Sequence, residues 1–216
     1  MTPNREDYLK CIYELGQIHH RMTNKEIAEK MQVSAPAVSE MVKKMISEKL
    51  ITKDKVSGYR LSQKGLLLVS DLYRKHRLIE SFLVRDLHYT PDEIHQEAEV
   101  LEHTVSTIFI DRLEENLGFP EYCPHGGSIP KKGEILEERY RIPLSQIDKT
   151  GFYLIGRARD NFQLLNYLDD HRLHINQSIE LTAIDNYAQT FTIHYNGEEL
   201  VIPKIIAQEI YVRALK

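Results

Sequence analysis

The sequence predicts an α+β multidomain fold, with a winged helix-turn-helix, a helical middle and a β-rich C-terminal part. Three observations predict it. Two short capped helices at a tight connection precede a hairpin pattern, two longer helical patterns follow, and from about residue 151 apolar and polar residues alternate in runs separated by turn signals. At 216 residues the chain is long enough for two or three small domains, each with a core. The boundaries read as 1–71, 72–125, a linker over 126–147, and 148–216.

Charge supports the division. The net charge of −4 hides 14 Lys+Arg against 9 Asp+Glu in residues 1–75, and 14 against 23 in residues 76–216. A basic N-terminal third on an acidic remainder suits a polyanion-binding module joined to a part with a different job.

Residues 5–17 form an amphipathic pattern through Tyr8, Ile12 and Leu15, which places Cys11 among apolar neighbours as a core residue. Thr23 and Glu26 make a capping box that opens a short helix, and "MQV" is a tight connection. Ser34 caps the next helix, with Pro36 in its first turn, where a missing backbone N–H is tolerated. Val38, Met41, Val42 and Met45 face a core. Outward stand Ser34, Ala37, Ser39, Glu40, Lys43 and Lys44. "LITKDKVSGYRLSQKG" then alternates across a turn at Ser57-Gly58, the wing. In such a unit the second helix enters the major groove of double-stranded DNA. Thr23, Ser34, Pro36, Ala37 and Ser39 are the candidate groove residues, and Lys43, Lys53, Lys55 and Arg60 the phosphate contacts.

From Leu66 to about Leu87 the chain reads as one long helix, with His76 and Glu80 four apart on one face, a spacing that can chelate but that on its own favours an ordinary exposed pair. A second helix, opened by Thr90 and Pro91, is expected to run to about Leu117. On it Glu99, Glu102 and His103 share a face, opposite Ala98, Leu101, Val105 and Ile108. The row is either a solvated stripe or half of a metal site. Beyond it, "EYCPHGG" places Cys123 and His125 two apart in a loop that can present both to one ion or hold them as unrelated polar residues.

Residues 126–151, with three prolines, read as a connection. "GFYLIGRAR", "HINQSIELTAI", "TFTIHYN" and "ELVIPKIIAQEIYV" read as strands, with a turn at Asn196-Gly197, and "DNFQLLNYLDDH" as a helix.

Taken in order, "EDYLKCIYEL", "MTNKEIAEKMQVSAPAVSEMVKKM", "RKHRLIESFL" and "EVLEH" resemble the diphtheria-toxin-repressor family of metal-dependent transcription regulators, and especially its manganese-responsive branch, over residues 5–125. The resemblance implies a homodimer with a helical dimerisation and metal-binding domain, and a small SH3-like barrel at the C-terminus. It implies a primary metal site of Asp7, His76, Glu99, Glu102 and His103. It further implies an ancillary site that adds Glu80 and a C-terminal residue, read as Asp160, to Cys123 and His125. Such an oxygen-rich set suits Mn²⁺, while Fe²⁺, Zn²⁺ and Co²⁺ also bind it in vitro. The sequence departs from the branch at Lys10, where a second carboxylate often stands.

The function so implied is a metal-activated repressor of metal-uptake genes that binds a palindromic operator. A metallohydrolase is the alternative from another class. It is disfavoured because "EVLEH" has Glu99 where the inverzincin pattern needs histidine, no HExxH occurs, and a hydrolase has no use for a basic helix-turn-helix. A regulator of the same kind that binds a small organic ligand would need an apolar pocket. The stretch "MTPNREDYLK" lacks signal-peptide character and no apolar run nears the roughly 18 residues of a membrane span, so the expected setting is the cytoplasm, away from membranes.

Overall fold

The computed structural model of the chain describes residues 3–18 and 21–215. They form two compact units, one running to Lys75 and including Pro130–Leu136, the other made of His76–Ile129 and Glu137 onward.

In the first unit, α1 (Pro3–Ile18), α2 (Asn24–Met31) and α3 (Ala35–Ser47) precede a hairpin of β1 (Ile51–Asp54) and β2 (Gly58–Leu61). The local signals act as read. Glu26 accepts from the Thr23 N–H at 2.7 Å while the Thr23 hydroxyl accepts from the Glu26 N–H, and Ser34 caps α3 through the Ala37 N–H. Gln32, in the left-handed region at φ 54°, ends α2 and turns the chain into α3. Ile12, Ile27, Val38, Val42 and Met45 meet in one core. Cys11 is buried there, and burial pushes its thiol up to about 12, so it is an inert apolar residue. Part of the segment read as a linker joins this core: Leu136 is buried in it, and its N–H donates to Ser70 Oγ at 2.8 Å.

The wing is fixed at its base. Met22 donates its N–H to Ser57 O and accepts from Tyr59 N–H, so the hairpin leans on the residue just before the α2 cap. Gly58 makes this approach at φ +74°, where a Cβ would stand 1.9 Å from Met22 O.

α4 (Gln63–Arg85) is a single 23-residue helix whose residues from His76 on belong to the second unit. The helix expected to reach Leu117 is broken: α5 (Pro91–Glu102) ends at His103, and α6 (Thr107–Leu117) starts after Ser106, which caps it through the Phe109 N–H. The hydroxyl of Thr104 turns back onto Leu101 O, and Ser106 offers a cap just where the next turn would begin. The break moves Ile108 off the apolar face. It is 76% exposed, while Ala98, Leu113 and Leu117 pack with Leu78, Ile79 and Leu83.

The C-terminal part of this unit contains β3 (Gly151–Ala158), α7 (Phe162–Asp170), β4 (Ser178–Asp185), β5 (Thr190–Tyr195), β6 (Glu198–Pro203), α8 (Lys204–Ala207) and β7 (Ile210–Ala214). The five strands pair antiparallel in the order β6-β5-β4-β3-β7. The run read as β-rich, "ELVIPKIIAQEIYV", holds two strands parted by the short helix α8, which follows Pro203 and buries Ala207. Ile155, Leu181, Ile193, Ile202 and Ile210 fill the core against α7.

Gly58→Ala is expected to destabilise the first unit by about 3 kcal/mol, since it combines a strained φ with a backbone clash. Urea unfolding of the wild type and the variant measures the difference, and equal midpoints would show that the hairpin base yields.

Candidate metal centre

α4 presents His76 and Glu80 one turn apart, and both side chains are fully buried. They are not the exposed pair that the spacing also allowed. His76 Nε2 lies 3.1 Å from Glu80 Oε1 and 3.4 Å from Asp160 Oδ2, while its Nδ1 lies 2.6 Å from Glu102 Oε2. One imidazole therefore faces both expected ligand groups. At the end of α5 the capping His103 has its Nε2 3.5 Å from Glu102 Oε1, and on α5 His95 Nε2 stands 3.6 Å from Glu99 Oε1. Glu102 is buried and Glu99 is half exposed. Asp7 lies on α1 in the first unit, partly buried.

The second group is assembled by two short devices. The loop 123–127 closes on itself through Cys123 N–H to Gly127 O and Gly126 N–H to Cys123 O, and Ala158 N–H on β3 donates to His125 O. Gly126, at φ +76°, lets this loop meet β3, where a Cβ would lie 2.1 Å from Gly156 O. Asp160 follows β3, and Asn161 caps α7 beside it through Gln163 N–H. His125 Nδ1 then lies 3.4 Å from Glu80 Oε1 and 3.3 Å from Asp160 Oδ1.

Among the described residues, two sets of side chains have ligand atoms within 4.8 Å of one another: His76, Glu80, His95 and Asp160, and Glu80, Cys123 and His125. Sequence reading named all of these but His95. The signal for it is a continuation of the α5 row, since His95 precedes Glu99 by one turn, and its ring meets that of His76 edge-on at 5.3 Å.

The donors fit a divalent cation. Glu80 Oε2, His95 Nδ1, His125 Nδ1 and Asp160 Oδ1 are buried and make no hydrogen bond of normal geometry among the described residues, although they converge. Buried polar atoms are rarely left so unless something else binds them. Burial would raise the Asp160 carboxyl, but His125 and His76 outweigh it and hold Asp160 well below the usual range. Glu80 is lowered too, His76 and His125 overcoming burial and the repulsion of Asp160. His125 is the counterpart: burial lowers it, yet Glu80 and Asp160 drive it well above the ordinary histidine value. Carboxylates, imidazoles and a single thiol make a mainly hard set.

Most of the residues expected to meet DNA are exposed. Ser34, Pro36, Ala37 and Lys43 on α3, and Lys53, Lys55 and Arg60 on the wing, are exposed. Two of the expected contacts are already engaged. Thr23 is half-buried in its capping box, and Ser39 Oγ accepts from Asn24 Nδ2 at 2.8 Å and donates to Ala35 O, holding α2 against α3.

A basic reading head, a helical unit with a buried carboxylate–imidazole cluster and an appended small sheet define a metal-dependent DNA-binding transcription regulator. Residues 1–59 match the family model for the iron-dependent repressor N-terminal DNA-binding domain, 62–131 that for the iron-dependent repressor metal-binding and dimerisation domain, and 142–214 the FeoA domain. The diphtheria toxin repressor of Corynebacterium jeikeium is 33% identical over 164 residues, 74% of this chain and 68% of its own length. The HTH-type transcriptional regulator MntR of Listeria monocytogenes is 32% identical over 57% of this chain and 86% of its own. Among solved structures, the manganese regulator SloR is 54% identical with a TM-score of 0.89 and both chains fully covered. ScaR with bound Zn²⁺ is 51% identical with a TM-score of 0.94, over 98% of this chain and 100% of its own. The chain belongs to the iron-dependent-repressor family of metal-dependent transcriptional repressors, and it is not an enzyme. Among the described residues no helix is long and apolar enough to cross a membrane.

A protonated imidazole cannot ligate, so if His125 holds the ion its proton must leave on binding, and affinity is then expected to rise with pH. Because the His125 value is raised, the rise should continue above neutrality. Competition with a chromophoric chelator measures affinity against pH, and His125→Gln should remove about one proton from the slope. An unchanged slope in the variant would place His125 outside the ligand set.

Proposed function

We propose that the chain is a manganese-activated repressor of metal-uptake genes that works in the cytoplasm and binds a palindromic operator as a homodimer. The observation that carries the reading is the buried, oxygen-rich cluster around His76, within the segment matched as a metal-binding and dimerisation domain. The end-to-end likeness to a protein described as a manganese regulator supports the choice of metal. The domain limits 1–71, 72–125, 126–147 and 148–216 belong to the same proposal.

In this reading Asp7, His76, Glu99, Glu102 and His103 form the primary ligand set, with Asp7 included on the family resemblance. Glu80, Cys123, His125 and Asp160 form the ancillary set, to which His95 is added. When bound, a divalent ion supplies the positive charge that these carboxylates otherwise draw from neighbouring histidines. Glu102 is the hinge of the arrangement, because its two oxygens face His76 and His103. Glu80 and Asp160 stay ionised in the folded chain and offer their oxygens without a proton to lose. Homodimerisation is supported by Val100, Ile108, Phe109 and Phe119, which are exposed apolar residues on the matched dimerisation segment. On DNA, Ser34, Pro36 and Ala37 let the α3 backbone approach base edges, while Lys43 and the wing cations replace counterions on phosphates.

Fluorescence anisotropy on a labelled palindromic duplex tests the proposal. Mn²⁺ is expected to tighten specific binding by at least roughly tenfold over chelator, with affinity falling steeply as salt rises. Glu102→Gln should lose the metal response while keeping the salt-dependent, nonspecific component. Equal affinity in Mn²⁺ and in chelator would contradict the proposal.

A further inference from the structure

The cluster's donors are nearly all buried, and a buried metal site needs an access route. The second unit contains a cavity of about 620 Å³ whose wall includes Cys123 and His125. Arg139 is the only lysine or arginine of that lining, and it is exposed. Its Nη1 donates to Tyr122 Oη at 2.7 Å, and its guanidinium carbon lies 5.7 Å from the Tyr122 ring centre and 5.8 Å from that of Tyr140. Stacking and hydrogen bond together hold this cation against the wall, beside the residue that precedes Cys123. The Tyr140 wall itself cannot yield much, because its ring packs on the backbone of Gly156, where a Cβ would meet it at 2.2 Å. The adjustable element is therefore the arginine arm.

We propose that this cavity is the loading vestibule of the metal cluster and that Arg139 gates it, slowing the approach of divalent cations to Cys123 and His125. The proposal rests on the reading of those two residues as ligands. A positive charge held on the cavity wall by Tyr122 and Tyr140 raises the barrier to an approaching dication by electrostatics. Such a gate slows arrival and departure together and leaves the equilibrium unchanged. His95 and Asp160 retain 15% and 14% side-chain exposure, and a path on their side is the rival the experiment must separate.

The full-length protein is mixed with Cd²⁺ in a stopped-flow instrument, following the ultraviolet charge-transfer band of a thiolate bound to the metal. Cys123 is the reporter, since Cys11 is buried in the core of the other unit. Two exposed lining positions are varied: Arg139→Gln opens the gate, and His174→Trp narrows the cavity. Association with Arg139→Gln is expected to accelerate by roughly tenfold. Release into excess chelator should accelerate by the same factor, and His174→Trp should slow both. A purely structural role for Arg139 would change melting temperature or affinity, and would not move the two rates in parallel. Wild-type rates in both variants would overturn the proposal and assign loading to the His95 side. Absence of the band in the wild type would remove Cys123 from the ligand set, and this inference with it.

Discussion

His76 and Glu80 stand one turn apart on α4 with no exposed side-chain surface, and Glu102 and Asp160 are drawn in around them. Taking ionised groups out of water costs several kcal/mol each even after relaxation, so such a group persists only if each member faces a partner of opposite charge. The surroundings supply this by position. α4 gives the first pair, α5 adds His95 and Glu102, the Cys123–Gly127 loop adds His125, and the turn after β3 adds Asp160. Removing one partner leaves an uncompensated buried charge, which is why the cluster is best understood as a unit.

Several features that look incidental follow from that constraint. The break between α5 and α6 ends the helix at Glu102, so His103 caps α5, its Nε2 3.5 Å from the Glu102 carboxylate, instead of continuing a solvent-facing row. The tight loop at Cys123 and the glycine at 126 bring a backbone into contact with β3, and the resulting bond from Ala158 N–H to His125 O fixes where Asp160 emerges. A second buried ionic group reinforces the same region: Glu138 accepts from Arg77, the neighbour of His76, and from the Ser128 N–H, which keeps its carboxyl below the usual range despite burial. The hydrogen bonds left open at Glu80, His95, His125 and Asp160 converge where the proposed ion would sit.

Much of the fold was legible because it is local. The Thr23–Glu26 capping box, the Ser34 cap and the alternation of the wing are signals within a few residues of what they specify, and each appears where the sequence placed it. The break after Glu102 was missed because an apolar period continues in register across it, from Leu101 through Val105 to Ile108, and masked the Ser106 cap. The burial of His76 and Glu80 could not be read from their spacing, which is the same for an exposed pair; packing decides it. His95 escaped because Glu80 and Asp160, the groups it faces, are distant in sequence. Asp160 itself came only from resemblance, since nothing local distinguishes it from the many other surface-type carboxylates of the acidic half.

In the proposed function, the carboxylates and imidazoles around His76 form the metal centre that makes this repressor metal-dependent. Anomalous diffraction from crystals grown with Mn²⁺, with data on both sides of the manganese edge, tests it most directly. A peak is expected in coordinating contact with Glu80, His95 and Asp160, or with Glu102, His103 and His76, and no peak of comparable height elsewhere. Manganese confined to the surface, with the His76 cluster empty and its hydrogen bonds closed among themselves, would contradict it.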